Sequence, residues 1–183
     1  AAAAARTGRH AAEAFMIRHH PQWLRAREIV RSGDIGPVRS IHTAFCYRNI
    51  DPANVRNRAD IGGGALYDIG CYGIAGPRFL FEAEPMQAIA SFDRDPVMAI
   101  DRLVSAVLQF DGGRSATFVC ATQSSPHQRV TITGETGRIE IPAPFNPPPH
   151  LPTRLLIDDG RDPFGGGIRE ESFAPCDQYA LQA

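Results

Sequence analysis

The sequence predicts an α+β domain, an open and mostly antiparallel β-sheet with helices on one face, and three observations predict it. From residue 89 onward, the stretches 89–92, 103–110, 115–121, 129–133 and 138–141 are short runs rich in β-branched and aromatic residues, separated by turn residues. "FDGGRS" and "TGETGR" fall between such runs and carry the glycines of tight reversals, so consecutive strands should pair antiparallel. Ahead of this meander, residues 21–32 and the stretch after 62–64 carry helical signals. A length of 183 residues suits one domain with a real core.

Each element has its own justification. "AEAFMIRHH" (12–20) holds a short apolar run, Ala14 to Ile17, ahead of Pro21, which disfavours helix in the residue before it. That run predicts a strand ending near His19. Over 21–32, Trp23, Leu24, Arg27, Ile29 and Val30 suit a helix, with Pro21 tolerated in its first turn and Gly33 as its left-handed stop. "GPVRSIHTAFCYRN" (36–49) alternates Val38, Ser40, His42, Ala44 and Cys46 against Arg39, Ile41, Thr43, Phe45 and Tyr47, which predicts a strand. Residues 51–61 are polar and charged, a loop leading to the glycines and the next helix. After the meander, the proline-rich stretch 142–152 connects to strands at 154–157 and 168–173. "DQYALQA" then opens a helix with Asp177 as its cap.

Composition excludes several functions. A net charge of −1 leaves no basic footprint for nucleic acid or an anionic membrane, so neither is expected as a partner. No run of about 18 apolar residues and no secretory pattern is present, which predicts an unexported, cytoplasmic chain. Cys46, Cys71, Cys120 and Cys176 lie far apart without a C-x-x-C pair and read as reduced thiols. All 19 basic residues are arginine. Without lysine, the chain itself offers no Schiff base, no ammonium acid or base and no phosphate-loop lysine. No metal site is expected: His10, His19, His20 and His42 are not at established ligand spacings.

"GGGALYDIGCYGI" (62–74) carries the chemistry. Asp68 and Tyr72 stand four apart, so a helix would present a carboxylate and a phenol side by side, a pair able to serve a proton transfer. A phenol with a reference pKa of about 10 needs a neighbouring cation to work near neutrality. The plainer alternative is that Asp68 caps a backbone group while Tyr72 packs with its hydroxyl satisfied. The glycines at 62–64 open a helix and read either as an anion-binding turn or as a crowded entry that selects small residues. Those at 165–167 precede a strand and read as a flexible turn.

"EAFMIRHHPQ", "SGDIGPVRSI", "NVRNRADIGGGALYDIGCYGI" and "VTITGETGRIEI", in this order and at these intervals, resemble the second domain of the glucose-fructose oxidoreductase, inositol dehydrogenase and MocA family. The resemblance spans nearly the whole chain. It is closest to the branch with NADP-dependent D-xylose dehydrogenases and dihydrodiol dehydrogenases, where D-I-G-x-Y is usual. Members of that family carry an N-terminal Rossmann domain that binds NADP or NAD, then an E-K-P motif whose lysine is the catalytic cation, then an α/β domain. The resemblance therefore implies that residues 1–183 form a single substrate-binding and oligomerisation domain, truncated at both ends and inactive alone. The implied enzyme is an NAD(P)-dependent oxidoreductase that transfers hydride from a sugar, polyol or diol hydroxyl carbon to nicotinamide.

By the same resemblance, Tyr72 corresponds to the proton-transferring tyrosine and Asp68 to the acidic residue that positions substrate. Arg18 is a candidate for cofactor phosphate or substrate oxygens, or for a surface ion pair; His20 is a candidate substrate contact or a structural residue beside Pro21. Arg56 and Arg58, in the loop before the glycines, are candidate cofactor or sugar contacts, or else exposed loop arginines. Val107, Phe118 and Val119 are expected on an open sheet face that another subunit covers, giving a homodimer or higher assembly. The alternative is a non-catalytic dimerisation or sugar-sensing module of the same fold, and an upstream reading frame encoding a Rossmann fingerprint and E-K-P would decide against it.

Overall fold

One eight-stranded sheet organises residues 2–183, the part of the chain described by the computed structural model. Its strands are β1 (Val38–Arg48), β2 (Gln87–Arg94), β3 (Asp101–Gln109), β4 (Ser115–Ala121), β5 (Gln123–Gly134), β6 (Arg138–Ile141), β7 (Thr153–Asp158) and β8 (Ile168–Phe173). Their spatial order is β2-β3-β4-β1-β5-β6-β7-β8. All neighbours are antiparallel except β1 and β4. Both predicted reversals therefore join antiparallel partners, β3 to β4 and β5 to β6.

β1 lies between β4 and β5, which are joined through Thr122 alone, so the chain crosses the end of β1 there. Thr122 is buried; its N–H donates to the Arg102 carbonyl (3.0 Å) and its carbonyl accepts from the Asn49 N–H (2.8 Å). Strand pleating then sorts the residues of β1: Ile41, Thr43 and Phe45 are buried beneath the helices, while His42 is exposed on the other face. A register shift between Val38 and Ser40 breaks the alternation, which puts Val38 in the core.

Two helices cover one face. In α2 (Pro21–Ser32), preceded by the short exposed α1 (Ala2–Thr7), Trp23, Ala26 and Ile29 turn inward, and Trp23 Nε1 donates to the Pro144 carbonyl at 2.7 Å. The helix ends at Gly33 with φ of 78°. In α3 (Cys71–Phe81), entered through a π-turn at Leu66–Gly70, the glycines 70, 73 and 76 form a stripe three residues apart. A Cβ on Gly73 would stand 2.6 Å from Phe118 Cγ, and one on Gly76 2.9 Å from Trp23 Cη2, so only glycine lets α3 lie this close to β4 and α2. The last helix, α4 (Gln178–Gln182), is capped by Asp177, which accepts from the N–H groups of Tyr179 and Ala180.

Two expectations are corrected. Residues 16–19 form a 3-10 turn, not the end of a strand: Met16 and Ile17 are adjacent and both buried, which a pleated strand does not allow. Four consecutive apolar residues cannot by themselves distinguish the two. Phe118 belongs to the core beneath α3, since it alternates with Val119 along β4; Val107 and Val119 stay on the open face.

Candidate active site

A cleft of about 660 Å3 opens where β1, the π-turn and α4 meet, and its lining includes Met16, Phe45, Tyr47, Asp68, Tyr72 and Tyr179. The π-turn sets its floor. Asp68 donates its N–H to the Gly64 carbonyl at 3.2 Å, and the Cys71 N–H reaches back to the Leu66 carbonyl, five residues away. Such widened turns recur at functional sites because they shift side chains off the α-helical register.

Asp68 and Tyr72 share the cleft, but their hydrogen bonds go to different partners. Asp68 Oδ2 accepts from the Tyr47 hydroxyl at 2.5 Å, and Oδ1 accepts from Arg56 Nε at 2.9 Å. The Tyr72 hydroxyl donates to the Met16 thioether sulfur at 3.3 Å, a weak acceptor that a stronger one can displace. Phe15, Phe45 and Phe145 surround the Tyr72 ring, with centroids 5.6, 5.8 and 5.3 Å away. Burial, reinforced by the negative charge of neighbouring groups, pushes this phenol up to about 12. Tyr72 is therefore protonated at neutral pH. Tyr47 is raised as well, first by burial and then by the hydrogen bond to Asp68 and its charge, with Arg56 opposing.

The other candidates separate. Arg56 lines the cleft, committed to Asp68. Arg58 is not among its lining residues and pairs with Asp60 at 2.7 Å. Arg18 lies over Phe79, 5.6 Å from the ring centroid, beside a different and smaller cavity. His20 is buried rather than facing substrate: Nδ1 accepts from the Gln22 N–H at 3.2 Å and caps α2, and Nε2 lies 3.4 Å from Cys176 Sγ. Its burial lowers its pKa to about 4. His42 faces the opposite side of the sheet and meets the Thr117 hydroxyl at 2.6 Å. Among the described residues, no group of three or more histidine, cysteine or acidic side chains is gathered as metal ligands.

Gly63 and Gly64 form a crowded entry, not a phosphate cradle, while Gly62 supplies a left-handed turn (φ 83°) with open space around it. The N–H groups of Gly62, Gly63 and Gly64 donate to the carbonyls of Ala59, Arg58 and Arg56, respectively. Asp101 holds the Leu66 N–H at 2.7 Å, so a carboxylate already occupies the helix entry. A Cβ on Gly63 would meet the Arg56 carbonyl at 2.6 Å, and one on Gly64 would collide with Asp101. These residues do not fit a dinucleotide phosphate.

Tyr47 is the site residue that sequence reading passed over. Its only signal was a phenol at the end of a strand, on the face shared with Phe45, and nothing in its spacing pointed to Asp68, 21 residues away.

The chain belongs to the GFO/IDH/MocA C-terminal domain family, whose model matches residues 23–140. It is 49% identical over 178 residues to an uncharacterized oxidoreductase, ORF334, of Rhizobium meliloti, covering 97% of this chain and 53% of that protein. It is 32% identical over 169 residues to D-xylose 1-dehydrogenase (NADP(+)) 2 of Haloferax volcanii, covering 91% and 50%. KijD10, a 3-ketoreductase from Actinomadura kijaniata solved with NADP and TDP-benzene, superposes with a TM-score of 0.89 at 25% identity, covering 99% of this chain and 54% of that one. The chain thus spans about half the length of the curated relatives it matches. All four cysteines are free thiols, and no helix among the described residues is long and apolar enough to cross a membrane.

Proposed function

We propose that this chain is the substrate-binding, proton-transferring and oligomerisation domain of an NAD(P)-dependent oxidoreductase that acts on a sugar, polyol or diol hydroxyl, or on the matching carbonyl in reverse. The observation that carries this reading is the Tyr72 hydroxyl, protonated and held only by a thioether, at the floor of a cleft that also presents the Asp68 carboxylate. NADP is supported by the name of the xylose dehydrogenase relative and by the ligand of the ketoreductase neighbour. When bound, chiefly by an N-terminal domain of a longer polypeptide, the nicotinamide supplies the hydride acceptor or donor.

This chain's residues handle the oxygen and its proton. A substrate hydroxyl replaces the Met16 sulfur as the partner of Tyr72, while Asp68 accepts a bond from a neighbouring hydroxyl. In the reducing direction, Tyr72 donates its proton to the nascent alkoxide, the state in which burial keeps it. In the oxidising direction, it must accept one, which requires a cation beside it to bring its pKa down. Arg48 and Arg56 are the cations lining the cleft, and Arg56 is already paired. The family lysine, on the N-terminal side, is the group that would serve.

The test is to express the longer polypeptide and this fragment separately. The longer form should reduce NADP in the presence of aldoses or vicinal diols; the fragment should bind no nucleotide and turn nothing over. Nucleotide-independent sugar binding without turnover by the longer form would instead favour a sensing module.

The open sheet face supports self-association. A shallow groove of about 640 Å3 there is lined by Ala44, Ile89, Val107 and Val119, among others, and apolar area of this kind favours a second copy of the chain. Free thiols support residence in a reducing compartment such as the cytoplasm.

A further inference from the structure

We propose that Tyr47 and Arg56 are positioning residues for this reaction, gripping the two oxygens of Asp68 so that its remaining lone pairs face substrate beside Tyr72. The inference rests on the reading of Asp68 and Tyr72 as substrate-facing groups. An ionised carboxylate offers about four acceptor sites. Tyr47 takes one on Oδ2 and Arg56 one on Oδ1, which leaves one on each oxygen, and the side chain of Asp68 keeps 21% of its surface exposed.

An ordinary surface ion pair would position nothing, because two long side chains move freely. Arg56 differs because its backbone is fixed on both sides. Its N–H donates to Asn54 Oδ1 at 3.0 Å, and its carbonyl accepts from the Gly64 N–H at 2.9 Å, four residues before Asp68. The loop around it is held by buried Asn57, whose Nδ2 donates to the Asp51 carbonyl (2.8 Å) and to Asn49 Oδ1 (3.1 Å). Tyr47 is anchored differently, between Cys46, which pairs with Ala121 of β4 and His127 of β5, and Arg48, which pairs with Gln123, at the register shift where the regular ladder of β1 ends. One grip thus comes from the sheet and the other from the loop, and together they remove the freedom of the Asp68 carboxylate to rotate away from substrate.

The clamp would act through Asp68, so its loss should appear in substrate affinity and not in cofactor binding. In the longer polypeptide, Tyr47→Phe and Arg56→Gln should each raise substrate KM about tenfold, the worth of one hydrogen bond to a charged group, with kcat changed less than about threefold and the Kd for NADP unchanged. With Asp68→Asn already present, neither should add a comparable loss. Thermal unfolding checks that Tyr47→Phe is folded; if it is not, Arg56→Gln reads the clamp from the other oxygen. An unchanged KM in the folded variants, or a full additional loss on top of Asp68→Asn, overturns the proposal. Tyr72→Phe separates this proposal from the broader reading. If it abolishes turnover while the clamp variants behave as wild type, only the clamp fails; if it turns over normally, the active-site reading fails and takes the clamp with it.

Discussion

Single residues carry most of what spacing alone could not foresee. Asp68 and Tyr72 do meet in one cleft, but the π-turn and the reach of Tyr47 and Arg56 send the carboxylate elsewhere for its hydrogen bonds. Sequence spacing captures neighbours along a helix; it is blind to a strand residue 21 positions upstream. His20 illustrates the same limit, since "HHP" does not say which histidine is buried as a cap. Its chemistry makes a test. Unfolded, His20 protonates near pH 6.5; folded, burial holds it neutral down to about pH 4. Its contribution is therefore present above pH 6.5 and lost as pH falls toward 4, because the unfolded chain then binds a proton that the folded chain refuses. Urea unfolding should show His20→Asn, which keeps a capping side chain, losing about 3 kcal/mol less than wild type between pH 7 and pH 4. Equal losses would mean that His20 is not neutral in the fold.

At the scale of elements, the sheet was the most legible part. β4, β6 and β8 fall on the predicted bounds; for β4 and β6 the reason is that runs with β-branched residues next to glycine turns have few other structures open to them, whereas β8 is mostly charged and carries only Ile168 as a β-branched residue. The apolar run before Pro21 was misread because burial of consecutive residues, not alternation, is what "FMI" achieves. The helix carrying Tyr72 was legible, whereas the reason for its glycines was not, since close approach to Phe118 and Trp23 is a tertiary fact. Gly73→Ala should accordingly cost about 1–3 kcal/mol, because the added methyl meets a ring that is itself buried. The same substitution should lower kcat by moving Tyr72 with α3. A variant of wild-type stability would show that α3 has slack against the sheet.

For the whole molecule, helices pack on one face of the sheet, the other face is open, and the edge strand β2 is exposed along its whole length. Ile89 and Val107 are 65% and 41% exposed on that open face. Light scattering on a sizing column should find the longer polypeptide as a dimer or higher assembly, and Val107→Arg should shift it toward monomer by burying an unpaired charge. A wild-type monomer at micromolar concentration would remove the open face from the account of assembly.

If Tyr72 moves the substrate proton, turnover depends on its hydroxyl. In the longer polypeptide, Tyr72→Phe should lower kcat by about 10²–10⁴-fold while leaving the fold and the Kd for NADP intact. Wild-type turnover by Tyr72→Phe would contradict that role.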